Sequence, residues 1–109
     1  MPDLILIQTT VDTSEAAKKL ARHLLEKHLA ACIQISETQS HYYWQGELCC
    51  SGEWLLSIKT EISYFDEVNT LLSEQHPYEV PEIVALPIVK SSKAYKDWVL
   101  KTIGGATAE

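Results

Sequence analysis

The chain has 109 residues, a length typical of one domain, and we take residues 1–109 as a single domain with a formal net charge of −6. Arg22 is the single arginine among nine basic residues, which argues against a binder of nucleic-acid backbones or anionic lipid, since both need clustered lysine and arginine. No stretch has the ~18 apolar residues of a membrane span and the chain starts without a signal-peptide pattern, so we expect a cytoplasmic protein that contacts neither membrane nor nucleic acid.

The first part of the chain predicts a strand, a helix and a second strand. The apolar run Asp3–Val11 favours a strand that is buried on both faces. A helix is expected from about Ser14 to His28, because apolar residues recur there at helical spacing. A second strand begins at Leu29, and we interpret its polar stretch Ser36–Ser40 as a bend or bulge before the aromatic run His41–Trp44.

A hairpin and a second helix are predicted next. Gln45–Glu47 is the expected turn, and the return strand runs from Leu48 to Thr60 with a disturbance at Ser51–Gly52. The second helix covers about Ser63–Gln75. It ends at His76–Pro77, because a proline disfavours helical geometry in the residue before it.

The last strand and a third helix complete the predicted fold. The strand covers Glu82–Leu86 and ends at Pro87, the helix covers about Ser92–Ile103, and Gly104–Glu109 is expected to be a frayed tail. The order β-α-β-β-α-β plus a helix predicts an α+β, ferredoxin-like fold. We expect a mixed sheet whose helices cover one face and leave the other face open.

The long hairpin predicts self-association. An extended arm from Ile33 to Gln45 would reach roughly 40 Å, at ~3.3 Å per residue. A domain of this size is only roughly 34 Å across, so the arm must bend sharply or overhang the domain. An overhanging end would expose Tyr42, Tyr43 and Trp44, which is a liability for a monomer. Pairing with further copies removes it, so we expect a closed homo-oligomer.

The segment His76–Glu82 is the richest candidate for a small-molecule or metal site. It holds an imidazole, a phenol and two carboxylates on a backbone that two prolines stiffen. The alternative is structural: His76 closes the second helix and Glu82 forms local hydrogen bonds.

A series of motifs resembles the CutA family of divalent-cation tolerance proteins. They are Leu29–Cys32, Tyr42–Gly46, Ile58–Thr60, His76–Glu82 and Tyr95–Trp98. The resemblance covers nearly the whole chain, and His76–Glu82 is its most specific part. It implies a PII-like homotrimer, whose long hairpins exchange strands around a three-fold axis, and a role in tolerance of copper and other divalent metals without an enzymatic reaction.

The resemblance also implies a copper site, to which this sequence conforms only in part. The site proposed for some members uses a cysteine on the first strand, a histidine at or just before the His-Pro-Tyr motif, and a nearby acid. This chain has Gln8 and Gln75 at two of these places, while His76 and Glu82 carry over as candidate ligands for Cu²⁺ or another divalent cation. The Pro-Gly pair usual in the first half of the hairpin is missing from Ser36–Gln39.

Clefts between subunits are where PII-like trimers hold their ligands, and the resemblance suggests which residues reach such a cleft here. Trp44, Lys59 and Tyr78 are the candidates, with Lys59 holding an anion. Two of them have a simpler interpretation: Lys59 is an end-of-strand charge that reaches water, and Trp44 packs in an interface.

The cysteines favour an unreactive, reduced state. Cys32, Cys49 and Cys50 are odd in number, which predicts free thiols in a reducing compartment. Cys49 and Cys50 are adjacent in a strand, so their side chains point to opposite faces and cannot chelate one ion together.

Two other function classes remain beside metal tolerance. An acylphosphatase-like hydrolase needs an arginine and a phosphate-cradling loop, whereas the lone Arg22 lies on the polar face of the first helix and no glycine-rich loop follows the first strand. A trimeric scaffold for a protein partner, with no ligand of its own, is the main alternative.

Overall fold

Four strands and three α-helices form the part of the chain that the computed structural model describes, residues 3–103. The elements are β1 (Leu4–Val11), α1 (Ser14–Glu26), β2 (Cys32–Trp44), β3 (Glu47–Glu61), α2 (Phe65–Gln75), β4 (Val84–Pro87) and α3 (Lys93–Thr102). A short 3-10 turn, Ile62–Tyr64, leads into α2 where the sequence predicted regular helix. The predicted tail, 104–109, lies outside the described residues.

The sheet has the strand order β2-β3-β1-β4, and each neighbouring pair is antiparallel. This confirms the α+β, ferredoxin-like arrangement. The expectation of a mixed sheet was wrong, because each helical crossover joins two parallel strands that are separated by a third strand running the opposite way.

The helix ends follow from local hydrogen bonds. The Thr13 hydroxyl accepts the Ala16 N–H at 3.0 Å and caps α1. The same helix ends at Glu26, before the predicted His28, whose backbone adopts a left-handed φ of 56°. The Ser92 hydroxyl caps α3 in the same way, by accepting the Tyr95 N–H at 3.2 Å.

The β2–β3 hairpin is continuous. Its register runs without a break from the pair Cys32–Lys59 to the pair Trp44–Glu47. The bulge predicted at Ser36–Ser40 and the disturbance predicted at Ser51–Gly52 were therefore wrong. Those residues are polar because the hairpin leaves the core there, and a strand that faces water needs no apolar side chains.

The outer part of the hairpin overhangs the rest of the domain. Strand β1 pairs with β3 only between Trp54 and Glu61, so no third strand from residues 3–103 lies beside the pairs farther out. Gln45 and Gly46, with φ of 51° and 81°, form the two-residue turn that suits a twisted hairpin. The described chain measures 48 × 26 × 22 Å, which agrees with an arm that projects rather than bends back.

The sheet packs helices on both faces. Ile5 and its neighbours on that face pack against α1 and α2 in the main core, which includes Ile7, Leu24, Leu56, Ile58 and Val68. Leu4 points to the opposite face, where it packs with Val99 and Ile103 around α3. The expectation that all helices cover one face was therefore wrong, and α3 covers one end of the face expected to be open.

Strand β4 is shorter and shifted from the prediction. It runs from Val84 to Pro87 instead of covering Glu82–Leu86. Pro87 pairs with Ile5 as the last strand residue, which is possible because β4 lies at the sheet edge, where a missing N–H breaks no ladder. The segment before it, 76–83, is left as an ordered loop beside the hairpin.

Candidate functional site

A cleft of about 720 Å³ lies between this loop, the end of β1 and the outer hairpin. Carboxylates line its walls: Asp12, Glu53, Glu79 and Glu82. Trp44 and Tyr42 supply aromatic surface from the hairpin. No lysine or arginine of residues 3–103 lines the cleft, so its charge favours a cation over an anion.

Of the candidates named from the sequence, Trp44, Tyr78 and Glu82 line this cleft within one chain. Sequence reasoning missed Asp12 and Glu53. Glu53 could have been noticed, because an acid inside a predicted strand beside Trp54 is unusual. Its hydrogen-bond partner, Tyr78, could not be predicted from spacing along the chain.

Glu53 is a buried carboxylate, only 7% exposed, at the point where β3 leaves β1. Tyr78 donates its phenol O–H to Glu53 Oε2 at 2.5 Å. Burial, followed by the hydrogen bond and the charge of Glu53, raises the pKa of Tyr78 well above its usual value. The phenol therefore stays protonated and fastens the loop to the hairpin.

His76 holds the same loop to β1. Its Nε2–H donates to the Thr10 carbonyl at 2.9 Å and lies 3.1 Å from the Thr9 hydroxyl, while Nδ1 accepts the Tyr78 N–H at 3.1 Å. These partners define a neutral ring protonated on Nε2. Burial lowers the pKa of His76, against the opposing effects of the Thr10 carbonyl and nearby acids, which also favours the neutral form. With both nitrogens occupied, His76 can bind a metal only after Nδ1 releases the Tyr78 N–H.

The glutamines at the other two implied ligand positions lie outside the cleft lining. Gln75 Oε1 is 2.5 Å from His23 Nδ1 and connects α2 to α1. Gln8 sits within β1, opposite Ser57 on one side and Val84 on the other.

Lys59 also lies apart from the cleft. Its ammonium donates to Gln34 Oε1 at 3.2 Å and sits 5.6 Å from the centre of the Tyr95 ring. It pairs with Cys32 at the inner end of the hairpin, whereas the cleft adjoins the outer end. The predicted convergence of Lys59 with Trp44 does not occur within the described chain.

Within residues 3–103, no three histidine, cysteine, aspartate or glutamate side chains converge in a way that would hold one metal ion. A cation in the cleft would need water or a second subunit to complete its coordination. Over the same residues, no helix is long and apolar enough to cross a membrane.

Comparison with known proteins finds similarity to one family over nearly the whole chain. The family described as "CutA1 divalent ion tolerance protein" matches residues 5–102. The divalent-cation tolerance protein CutA of Thermus thermophilus is 41% identical over 105 residues, which is 95% of this chain and 100% of that protein.

Two further relatives extend the comparison. The chloroplastic protein CutA of Arabidopsis thaliana is 38% identical over 96 residues, or 87% of this chain, and the match spans 53% of that relative's length. The solved structure of CutA from Synechococcus elongatus superposes with a TM-score of 0.90 at 40% identity, covering 94% of this chain and 91% of that one.

Proposed function

The chain belongs to the CutA1 divalent ion tolerance protein family, and from this premise we propose that it binds a divalent cation such as Cu²⁺ in its acidic cleft without catalysing a reaction. The observation that carries the proposal is the cleft lining of Asp12, Glu53, Glu79 and Glu82, with no lysine or arginine from residues 3–103 among them. Such a wall concentrates cations, and among divalent ions copper has the highest affinity for nitrogen and oxygen ligands.

Glu82 is the ligand we assign from this chain, because it is exposed and lines the cleft. His76 shapes the cleft by holding the Tyr78 loop, and it becomes a ligand only if the metal displaces the Tyr78 N–H from Nδ1. Trp44 forms a wall of the cleft. Lys59 lies at the inner end of the hairpin, apart from this cleft within one chain, so a role for it in a cleft between subunits stays a prediction.

The assembly we propose is a homotrimer in which a neighbouring subunit completes the cleft. Two features support it: the overhanging hairpin exposes Tyr43 and Leu48, which are 75% and 73% exposed, and the described chain alone supplies too few convergent ligands. We also assign the protein to the cytoplasm, since Cys32, Cys49 and Cys50 are free thiols of the kind that persist in a reducing compartment.

Calorimetric titration with Cu²⁺ and Zn²⁺ tests the cation site. Glu82→Gln should weaken binding roughly tenfold or more, the effect typical of groups that support a metal site. Glu74→Gln is the matched control, because Glu74 is an exposed glutamate on α2 that does not line the cleft. Identical isotherms for the three proteins would remove the cleft as the cation site.

A scaffold function is the second candidate, and the exposed Tyr43 and Leu48 favour it because the same surface suits a protein partner. The two functions separate in one experiment. A trimer that binds neither Cu²⁺ nor Zn²⁺ would be a scaffold, whereas a trimer whose cation binding depends on Glu82 would be the proposed tolerance protein.

A further inference from the structure

The cleft has an aromatic wall besides its acidic one. Tyr42 and Trp44 lie two residues apart on β2, so both side chains project from the same face of the hairpin. Each is 42% exposed, and the Tyr42 hydroxyl shares a hydrogen bond of 3.1 Å with Ser51 Oγ. Tyr43 and Leu48 project from the opposite face, so the surface that we assign to assembly is not the aromatic wall of the cleft.

Glu53 adds a buried carboxylate with one unused oxygen. The residue is only 7% exposed, and Oε2 accepts the hydrogen bond from Tyr78. Oε1 accepts none from the described part of the chain, in which no fully enclosed side-chain oxygen lacks a partner. Oε1 therefore reaches the surface, and the surface that Glu53 lines is the cleft.

The same carboxylate lacks a positively charged partner. A buried carboxylate is normally paired with a positive group, because its charge is costly to remove from water. Glu53 takes part in none of the ion pairs formed between residues 3 and 103. A neutral phenol is its one hydrogen-bond partner there, so the cleft wall is incomplete without a cation.

An organic cation fits these walls without the convergent ligands that a metal ion requires. A quaternary ammonium group has no N–H to direct and spreads its charge over several methyl groups, so it needs no short bonds to carboxylates. It is attracted to the face of a tryptophan or tyrosine ring, most strongly where water is excluded. The cleft volume of about 720 Å³ lies within the range of small-molecule sites.

We propose that the cleft binds a small organic cation with a quaternary ammonium head group. The head group lies against Tyr42 and Trp44, while Glu53 and Glu79 supply the opposite charge from the other walls. Tyr78 acts indirectly, by holding Glu53 in place. The site goes beyond the metal function proposed above, because it requires no metal ion even though it uses the same cleft.

Calorimetric titration with choline chloride, in a buffer whose chelator removes metal ions, tests the site. The matched probe is the carbon analogue of choline, in which a tert-butyl group replaces the trimethylammonium group and only the charge is lost. Choline should bind at one molecule per chain, and the carbon analogue at least roughly tenfold more weakly, since the charge supplies the attraction to both walls. Equal binding of the two probes, or no binding of choline at millimolar concentration, would overturn the proposal.

Two variants assign the binding to the two walls. Trp44→Leu keeps an apolar side chain but removes the ring, and should weaken choline binding roughly threefold to thirtyfold. Its matched control is Trp98→Leu, because Trp98 is 45% exposed on α3 and does not line the cleft. Glu79→Gln removes an exposed cleft carboxylate and should also weaken binding, whereas Glu74→Gln should not.

Unchanged choline binding in both cleft variants would also overturn the proposal. Circular dichroism and light scattering identify any variant whose fold or assembly differs from wild type. Glu79→Gln keeps the test decisive if Trp44→Leu is that variant, since its side chain is exposed and nearly unchanged in size.

The organic cation and the metal ion are tested independently. Cu²⁺ binding that does not depend on Glu82 would remove the metal site and leave choline binding in chelator intact. Absence of choline binding would leave the dependence of Cu²⁺ binding on Glu82 intact. Choline binding that appears only after Cu²⁺ or Zn²⁺ is added would contradict an organic-cation site that needs no metal.

The same head group occurs in free small molecules and on trimethylated lysine side chains of proteins. Trimethyllysine, acetylated at its amino end and amidated at its carboxyl end, distinguishes these sources when it is titrated beside choline. Tighter binding of the lysine derivative would indicate a protein side chain, and tighter binding of choline a free small molecule. Either order supports the shared chemistry.

Discussion

The β2–β3 hairpin has an inner half, in which β3 also pairs with β1 (Trp54–Glu61), and an outer half, which extends from there to the Gln45–Gly46 turn. The two halves have the same backbone pairing but opposite surroundings. On one face of the inner half, the opposed pair Ile33–Ile58 packs in the main core. On the same face of the outer half, the opposed pair Tyr43–Leu48 is 75% and 73% exposed. On β2, the polar residues Glu37, Gln39 and His41 separate the two pairs along this face, and the core that covers the inner pair stops at the end of β1.

The difference shows that pairing and burial have separate causes in this hairpin. Cross-strand hydrogen bonds and the Gln45–Gly46 turn set the backbone of both halves. Burial depends on whether α1, α2 and β1 reach far enough to cover a given pair. A regular strand pair with an uncovered apolar face is the feature that leads us to expect a second copy of the chain there.

The largest expected effect lies in the inner half. Ile58→Ala should lower the free energy of unfolding by about 2–5 kcal/mol, because it leaves a cavity in a packed core, and Ile58 is 0% exposed. Denaturant unfolding at a protein concentration low enough to populate single chains gives the value. Leu48→Ala makes a similar truncation on the same face of β3 and should cost less than about 1 kcal/mol there, in line with a surface substitution. Equal losses would mean that both halves are covered within one chain.

The outer half should instead control assembly. The double change Tyr43→Ser and Leu48→Ser should reduce the mass measured by light scattering from that of three chains to 12.3 kDa. The physical reason is that burying a leucine side chain contributes about 1.5–3 kcal/mol. Leu48→Ser removes that contribution from the interface, and Tyr43→Ser removes the apolar area of a second large side chain. Gln39→Ser, on the same face of β2, is the control and should leave the mass unchanged. A wild-type mass of one chain at micromolar concentration would contradict the trimer itself.

The sequence predicted much of this architecture because the signals are local. Apolar periodicity gave the element order, and the length of the arm from Ile33 to Gln45 predicted that it must either bend sharply or overhang the domain. The polar stretch Ser36–Ser40 was misinterpreted as a bulge for a physical reason: polarity within a strand reports where the core ends as readily as where pairing breaks.

The site was predicted in part, and the missing part depends on tertiary contacts. Tyr78 and Glu82 were found because they lie within one proline-stiffened segment. The partner of Tyr78 is Glu53, 25 residues earlier, and the acceptor for His76 is the Thr10 carbonyl, 66 residues earlier. Spacing along the chain carries no information on either contact, so neither the buried acid nor the full occupation of the His76 ring could be foreseen.

The smallest expected effect is a dependence of stability on pH, and it arises at the boundary between the two halves. There Tyr78 hydrogen-bonds to Glu53 and His76 hydrogen-bonds to the Thr10 carbonyl. The pKa of His76 is lowered in the folded chain, chiefly by burial, from about 6.5 for a free histidine. The unfolded chain therefore binds more protons than the folded chain below about pH 6.5, so this contribution to stability is complete above that pH and is lost as pH falls toward the folded pKa.

Denaturant midpoints measured between about pH 7.5 and pH 5.5 would show this contribution as a fall in stability on acidification. His76→Gln should be less stable at high pH, because it loses the hydrogen bonds to Thr10 and Tyr78, and its midpoint should depend less on pH. His28→Gln is the control, since His28 is an exposed histidine, and it should keep the wild-type slope. If His76→Gln kept the wild-type slope as well, protonation of His76 would not be the cause of the fall in stability on acidification.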